Sequence, residues 1–208
     1  MVFDLAQTDE LLSTTRAVRR RLDLTRPVPR NTILDCIRIS QQAPTASNGQ
    51  TWRWMVVDDG EKRRRIAELY REAAGTMLSD NRNTAVAQGE EQTARVYESA
   101  EYLADHLHEV PIHVIACLVG RPPPGRGQPF FASIYPAVWS FQLALRARGL
   151  GTVLTTLLSL KEREVASLLG MPTELTHCAL LPVAYTLGSD FKPAQRMPVE
   201  TIVHWNSW

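Results

Sequence analysis

The chain has 208 residues, 44% hydrophobic and 22% charged, which suits one soluble globular domain with its own core. A net charge of +1 gives no global field for nucleic acid or an anionic membrane, so neither is expected as a partner. Three scattered cysteines (Cys36, Cys117, Cys178) make neither a disulfide framework nor a CxxC site, and buried, reduced thiols in a cytoplasmic protein are expected.

The first residues, MVFDLAQTDELL, lack the basic-then-apolar pattern of a signal peptide. No apolar run reaches the length of a membrane span. Residues 4–15 read as a short helix. The stretch RAVRRRLDLTRPVPR then places six arginines between Arg16 and Arg30. Residues 31–42 read as a helix with Ile33, Leu34 and Ile37 on its apolar face, ended by Pro44. WMVVDD reads as a short strand turning at Asp59-Gly60. A charged helix is expected over 61–79, then a polar, mobile stretch SDNRNTAVAQGEE, then a helix over about 92–108.

PIHVIACLVG is almost continuously apolar, the pattern of a central strand buried on both faces. RPPPGRGQP reads as a stiff loop that breaks helix and strand alike. Residues 133–148 read as a helix closed by Gly149, followed by a strand GTVLTTLL, a short helix over 161–169 and a strand HCALLPVAYT. The tail from Leu187 has no clear period. The sum is α+β, about six helices and four strands, in one domain spanning 1–208.

Two stretches carry chemistry. The loop in QQAPTASNGQTWRW gathers neutral donors and acceptors beside two tryptophans, a composition suited to a flat, polar, aromatic ligand. The arginine stretch alone fits a solvated basic face as well as a binding site. Val18, Leu22, Leu24 and Val28 interleave with it, and arginines fixed on a core hold a phosphate well. No GxGxxG or GxxxxGK[ST] motif is present, so a phosphate would need another cradle. Glu101, Asp105 and His108 share a helix face beside His106, which helical surface charge explains without a metal. His177 and Cys178 point to opposite faces of a strand and make a poor dyad.

Separated stretches resemble the FMN-dependent nitroreductases: TRAVRRRLD, RPVPRNTILDCIRISQQAPTASNGQTWRWMVVDD, RARGLGTVLTT and FKPAQRMPVETIVHW. Together they cover the chain from about residue 13 onward. The resemblance implies a sandwich around a four-stranded antiparallel sheet flanked by helices. It also implies an intertwined homodimer, in which residues 190–208 form an exchange arm that adds a strand to the partner's sheet.

By the same resemblance, FMN is the bound cofactor and NAD(P)H a transient donor. Arg16 and either Arg19 or Arg20 would meet the flavin phosphate and the pyrimidine edge. Pro44, Thr45, Ser47, Asn48 and Gln50 would lie against the ring of the partner's flavin. Thr155, Thr156 and Leu157 would bring backbone to the C4 carbonyl and N5, and Arg196 would reach the phosphate. Three positions depart from the family pattern: Ala17 or Val18 replaces a serine, Thr51 a proline, and Ala194 a second late cation that Lys192 could supply. The implied reaction is a ping-pong transfer of hydride to a nitroaromatic, quinone or activated alkene. Reductive dehalogenation, flavin breakdown and a non-enzymatic flavin-binding dimer are the alternatives.

Overall fold

The computed structural model describes residues 2–208. Its centre is a four-stranded antiparallel sheet in the order β1-β2-β4-β3, with β1 at Trp52–Val57, β2 at Ile112–Val119, β3 at Leu150–Thr152 and β4 at Leu175–Tyr185. The two apolar runs, β2 and β4, occupy the middle, where both faces are covered. Alternation along β2 divides the core in two. Ile115 and Cys117 face α3 (Gly60–Ala74), α5 (Glu91–His106) and α8 (Glu162–Leu169). Ile112, Val114, Ala116 and Leu118 face α2 (Arg30–Ser40) and α7 (Ile134–Arg146).

The helix ends follow local chemistry. Asp59 caps α3 by accepting the Lys62 N–H at 2.9 Å, and Gly75 follows its last turn at φ 49°. Asp4 caps α1 (Leu5–Thr14) by accepting the Gln7 N–H at 3.1 Å. Pro136 stands in the first turn of α7, where an N–H has no helical partner to lose. Cys36, Cys117 and Cys178 are buried and unpaired.

Several expectations need correction. There are eight α-helices among the described residues, not about six. The polar stretch after residue 79 is not loose: it lies in α4 (Met77–Ala87), which packs on α5 and buries only Leu78 and Ala85. The loop after β2 turns helical at α6 (Gly127–Phe131). The strand expected over GTVLTTLL stops at Thr152, and Leu157–Lys161 is a 3-10 turn. The tail forms no strand on its own chain; its only regular element is a single turn at Val199–Thr201. No helix among the described residues is long and apolar enough to cross a membrane.

His113 shares the face of Ile115 and is fully buried, with Nε2 donating to the Leu107 carbonyl at 2.8 Å and Nδ1 unpartnered. Burial pushes its imidazole down from 6.5 to about 4, the Leu107 bond resisting and the Arg63 charge adding to the fall. The folded value lies below the unfolded one, so the stabilisation is complete above about pH 6.5 and is lost as pH falls towards 4. Denaturant titrations across that window should show a loss of about 3 kcal/mol, and His113→Leu should flatten the slope.

Candidate functional site

The arginine stretch crosses the end of β3 and β4. The Val18 N–H donates to the Thr152 carbonyl at 2.9 Å, and the Asp23 N–H to the Tyr185 carbonyl at 2.8 Å. Leu22 pairs with Thr186 as an isolated bridge. Val18 and Leu22 are buried and tie the stretch down. The crossing is possible because residue 151 is glycine: a Cβ there would lie 2.7 Å from Thr186 Cγ2 and 3.0 Å from Val18 Cβ.

Arg19 to Leu22 form a turn, with the Leu22 N–H donating to the Arg19 carbonyl at 3.3 Å. This turn, rather than extended alternation, sends the adjacent arginines apart. Arg20 lies outside, 3.0 Å from Glu98 and over the Tyr102 ring. Arg21 pairs with Asp190 at 2.5 Å and stacks on Phe191. Arg19 turns inward; its recorded bond is a 3.3 Å contact to the Ser99 hydroxyl, and it makes no ion pair among the described residues. Burial lowers its guanidinium below the ordinary value, opposed in part by Tyr70. Arg16 likewise has no carboxylate and donates to the Lys192 carbonyl at 2.9 Å. Arg16, Arg19, Arg20, Ser99, Phe191 and Lys192 line a cavity of about 360 Å³. It is a basic hollow in which three cations, Arg16, Arg19 and Lys192, make no ion pair among the described residues.

Thr155 lies beyond β3 and is fixed at three points. Its N–H donates to the Leu180 carbonyl at 3.0 Å, its carbonyl accepts the Leu180 N–H at 2.8 Å, and Oγ1 is 3.0 Å from the Tyr70 hydroxyl. The Thr155 N–H is therefore committed to the sheet. Thr156 is exposed, its N–H makes no backbone bond, and Leu157 opens the 3-10 turn. Of the three expected residues, Thr156 and Leu157 thus have backbone donors free for a ligand, and Thr156 is the exposed one. The Tyr70 hydroxyl meets Thr155; burial pushes its phenol up, and Thr155 and the Arg19 charge oppose that in part. In the sequence Tyr70 falls at helical spacing on the apolar side of α3 with Ile66 and Leu69, which carries no polar signal.

The loop 44–50 is strained. Ser47, Asn48 and Gln50 have φ of 53°, 51° and 47°, a region costly for residues with a Cβ. Gln50 Nε2 donates to Asn48 Oδ1 at 3.0 Å, and the Asn48 N–H donates to the Thr45 carbonyl at 3.2 Å. Ser133 clamps the loop from the start of α7: its Oγ accepts the Ala46 N–H at 3.0 Å, and its carbonyl accepts Trp52 Nε1 at 2.8 Å. Trp52 is therefore a buried anchor, not the ligand surface its place in the sequence suggests. Pro44, Ser47, Asn48 and Gln50 stay exposed, and Thr45 is half-buried.

One chain does not bring these parts together. The loop enters β1 at Trp52, whose row runs through Leu118 to Thr176, whereas the arginine stretch meets the sheet at Thr152, level with Val183. β1 and β3 are opposite edges, and Trp52 and Val18 belong to the cores on opposite faces. Strand rise and spacing put the two places on the order of 25 Å apart. Arg196 lies on the exposed tail and reaches only the neighbouring Gln195 carbonyl. Phe191 packs on the core, but Trp205 and Trp208 are 83% and 101% exposed, so the end of the tail has no seat on its own chain.

Residues 12–185 match the family described as the nitroreductase family. An iodotyrosine deiodinase from Thermotoga neapolitana is 26% identical over all of this chain and 99% of its own length. Among solved structures, an iodotyrosine deiodinase bound to FMN and 3-iodo-L-tyrosine aligns with a TM-score of 0.73 at 24% identity, covering 96% of this chain and 99% of that one. The FMN and NADPH-dependent nitroreductase NfnB from sphigopyxis sp. strain HMH aligns at 0.71 and 18% identity, covering 96% and 99%. These likenesses extend to the whole sandwich.

The crossing at Gly151 is open to a direct test. Gly151→Ala inserts a methyl group where two side chains already touch, and should cost about 1–3 kcal/mol of unfolding free energy in denaturant titration, the usual range for overpacking.

Proposed function

Because the chain belongs to the nitroreductase family, we propose that it is an FMN-dependent oxidoreductase, passing hydride from NAD(P)H to a nitroaromatic, quinone or activated alkene. The observation that carries this reading is Arg19. A largely buried guanidinium with no carboxylate partner leaves a positive charge waiting for an anionic or carbonyl-rich ligand. The donor set fits FMN: Arg16 and Lys192 suit one phosphate, Arg19 an electron-rich ring edge, and the Thr156 N–H an acceptor on that ring. FMN, when bound, supplies the two-electron redox chemistry.

The chain's own residues would do the rest. Arg19 would favour negative charge gathering on the ligand, because a fixed cation in a low-dielectric site needs little reorganisation. Arg16 would fix orientation. The exposed loop 44–50 would close over the ring, but only over that of a second chain, since its own arginines lie across the sheet. That separation supports a homodimer. So do the open edge of β1, the exposed Leu34, Ile39, Tyr135 and Trp139 on α2 and α7, and the exposed end of the tail beyond Phe191. In such a dimer the tail would bring Arg196 towards the partner.

A second reading has its own support. The full-length relative is described as an iodotyrosine deiodinase, so reductive removal of halogen from an aromatic ring is the alternative chemistry. Nicotinamide oxidation with a nitroaromatic or quinone, set beside iodide release from an iodophenol under dithionite, separates the two.

The purified protein should be yellow, and heat-released cofactor should chromatograph as FMN. Arg19→Ala should weaken FMN binding by about 1.5–3 kcal/mol, the range for a hydrogen bond to a charged group, and Arg20→Ala far less. FAD or no flavin would sink the reading, and equal losses would refute the assignment of Arg19. Removal of residues 190–208 should abolish dimerisation and flavin together; a yellow monomer would contradict the dimer.

A further inference from the structure

Tyr70 is buried on α3. Its hydroxyl has one recorded partner, Thr155 Oγ1, at 3.0 Å. Thr155 is itself immobile, bonded in both directions to Leu180. Either hydroxyl can donate in this bond, and in both cases the bond fixes the Thr155 Oγ1 rotor against Tyr70 and restricts the direction left for its remaining hydrogen-bonding capacity. Burial pushes the Tyr70 phenol up, with Thr155 and the Arg19 charge opposing in part, so the phenol keeps its proton at any working pH.

We infer that Tyr70 is a positioning residue of this site, fixing the direction of the Thr155 hydroxyl through the hydrogen bond between them. The inference rests on the reading of the site as a flavin site. It adds that Thr155 contributes through its side chain, since its backbone N–H is committed to Leu180. A hydroxyl held in one direction acts as a fixed dipole on the ligand, and a free rotor does not.

The test uses the full chain with FMN and five forms: wild type, Tyr70→Phe, Thr155→Val, Thr155→Ser and the Phe/Val double variant. Tyr70→Phe keeps the buried ring, and flavin-free unfolding curves verify that each form folds. The midpoint potential of the bound flavin is measured against a reference dye. Tyr70→Phe and Thr155→Val should move it in the same direction by a similar amount. A tenfold change in the ratio of affinities for reduced and oxidised flavin reads as about 30 mV for a two-electron couple. The double variant should go no further than Thr155→Val, because both changes remove one unit. Thr155→Ser, which keeps the hydroxyl, should stay at the wild-type value. Additive shifts, an unmoved Tyr70→Phe, or a Thr155→Ser that behaves like valine would overturn the inference while the flavin reading stands. A wild-type chain that takes up no FMN would overturn both.

Discussion

The site depends on a backbone crossing. The Val18 N–H bonds to the Thr152 carbonyl over a glycine, and a few residues later Leu22 joins Thr186 at the end of the sheet. These contacts hold buried apolar side chains on both sides of the Arg19 turn. The turn then separates three consecutive guanidiniums that would otherwise repel one another on one face. Arg20 and Arg21 go outward to Glu98 and Asp190, and Arg19 goes inward. A cation partly out of water without a counter-charge destabilises the folded chain. It persists because the packing on either side gives it nowhere else to go.

A second region of stored cost is the loop 44–50. Three residues there sit at positive φ although none is glycine. Each such position typically costs about 1–3 kcal/mol and survives only where surroundings over-determine it. Here the surroundings are few: a serine hydroxyl, a buried indole and one side-chain amide bond. The inward cation and the strained loop are both places where the isolated chain is less stable than its length allows. Both lie where a ligand would relieve the cost.

Much of the sandwich was legible because its signals are strong and local. The continuous apolar runs at 112–119 and 175–185 admit only central strands. Asp59 and Gly149 mark helix ends through chemistry that acts within four residues, whereas the helix expected to run through Gly75, over 61–79, stops at Ala74 and a new one starts at Met77. The α4 segment was missed because a helix held by one neighbour needs little apolar surface: Leu78 and Ala85 suffice. The strand after Gly149 was read too long because Leu154, Leu157 and Leu158 are as apolar as a strand, yet the ladder breaks after Thr152, touches β4 again only at Thr155 and then turns into the 3-10 segment. At the site, residue types were legible and directions were not. Three adjacent arginines give no local sign of which one turns inward; distant Glu98, Asp190 and Ser99 decide it. The roles of Tyr70 and Ser133 were not legible for the same reason, since a hydroxyl becomes meaningful only when a group distant in sequence meets it.

The placement of the loop and the arginines at opposite corners of the sheet has a genetic corollary. If two copies share each site, every site is a joint product, with the basic hollow from one chain and the strained loop from the other. A lesion in residues 44–50 and a lesion at Arg19 would then each abolish both sites of a pure assembly. Mixed in one assembly, they would leave one site with both defects and one with neither. Two dead alleles would therefore restore up to half of the activity in the mixed dimer, and two alleles damaged in the same element would restore none.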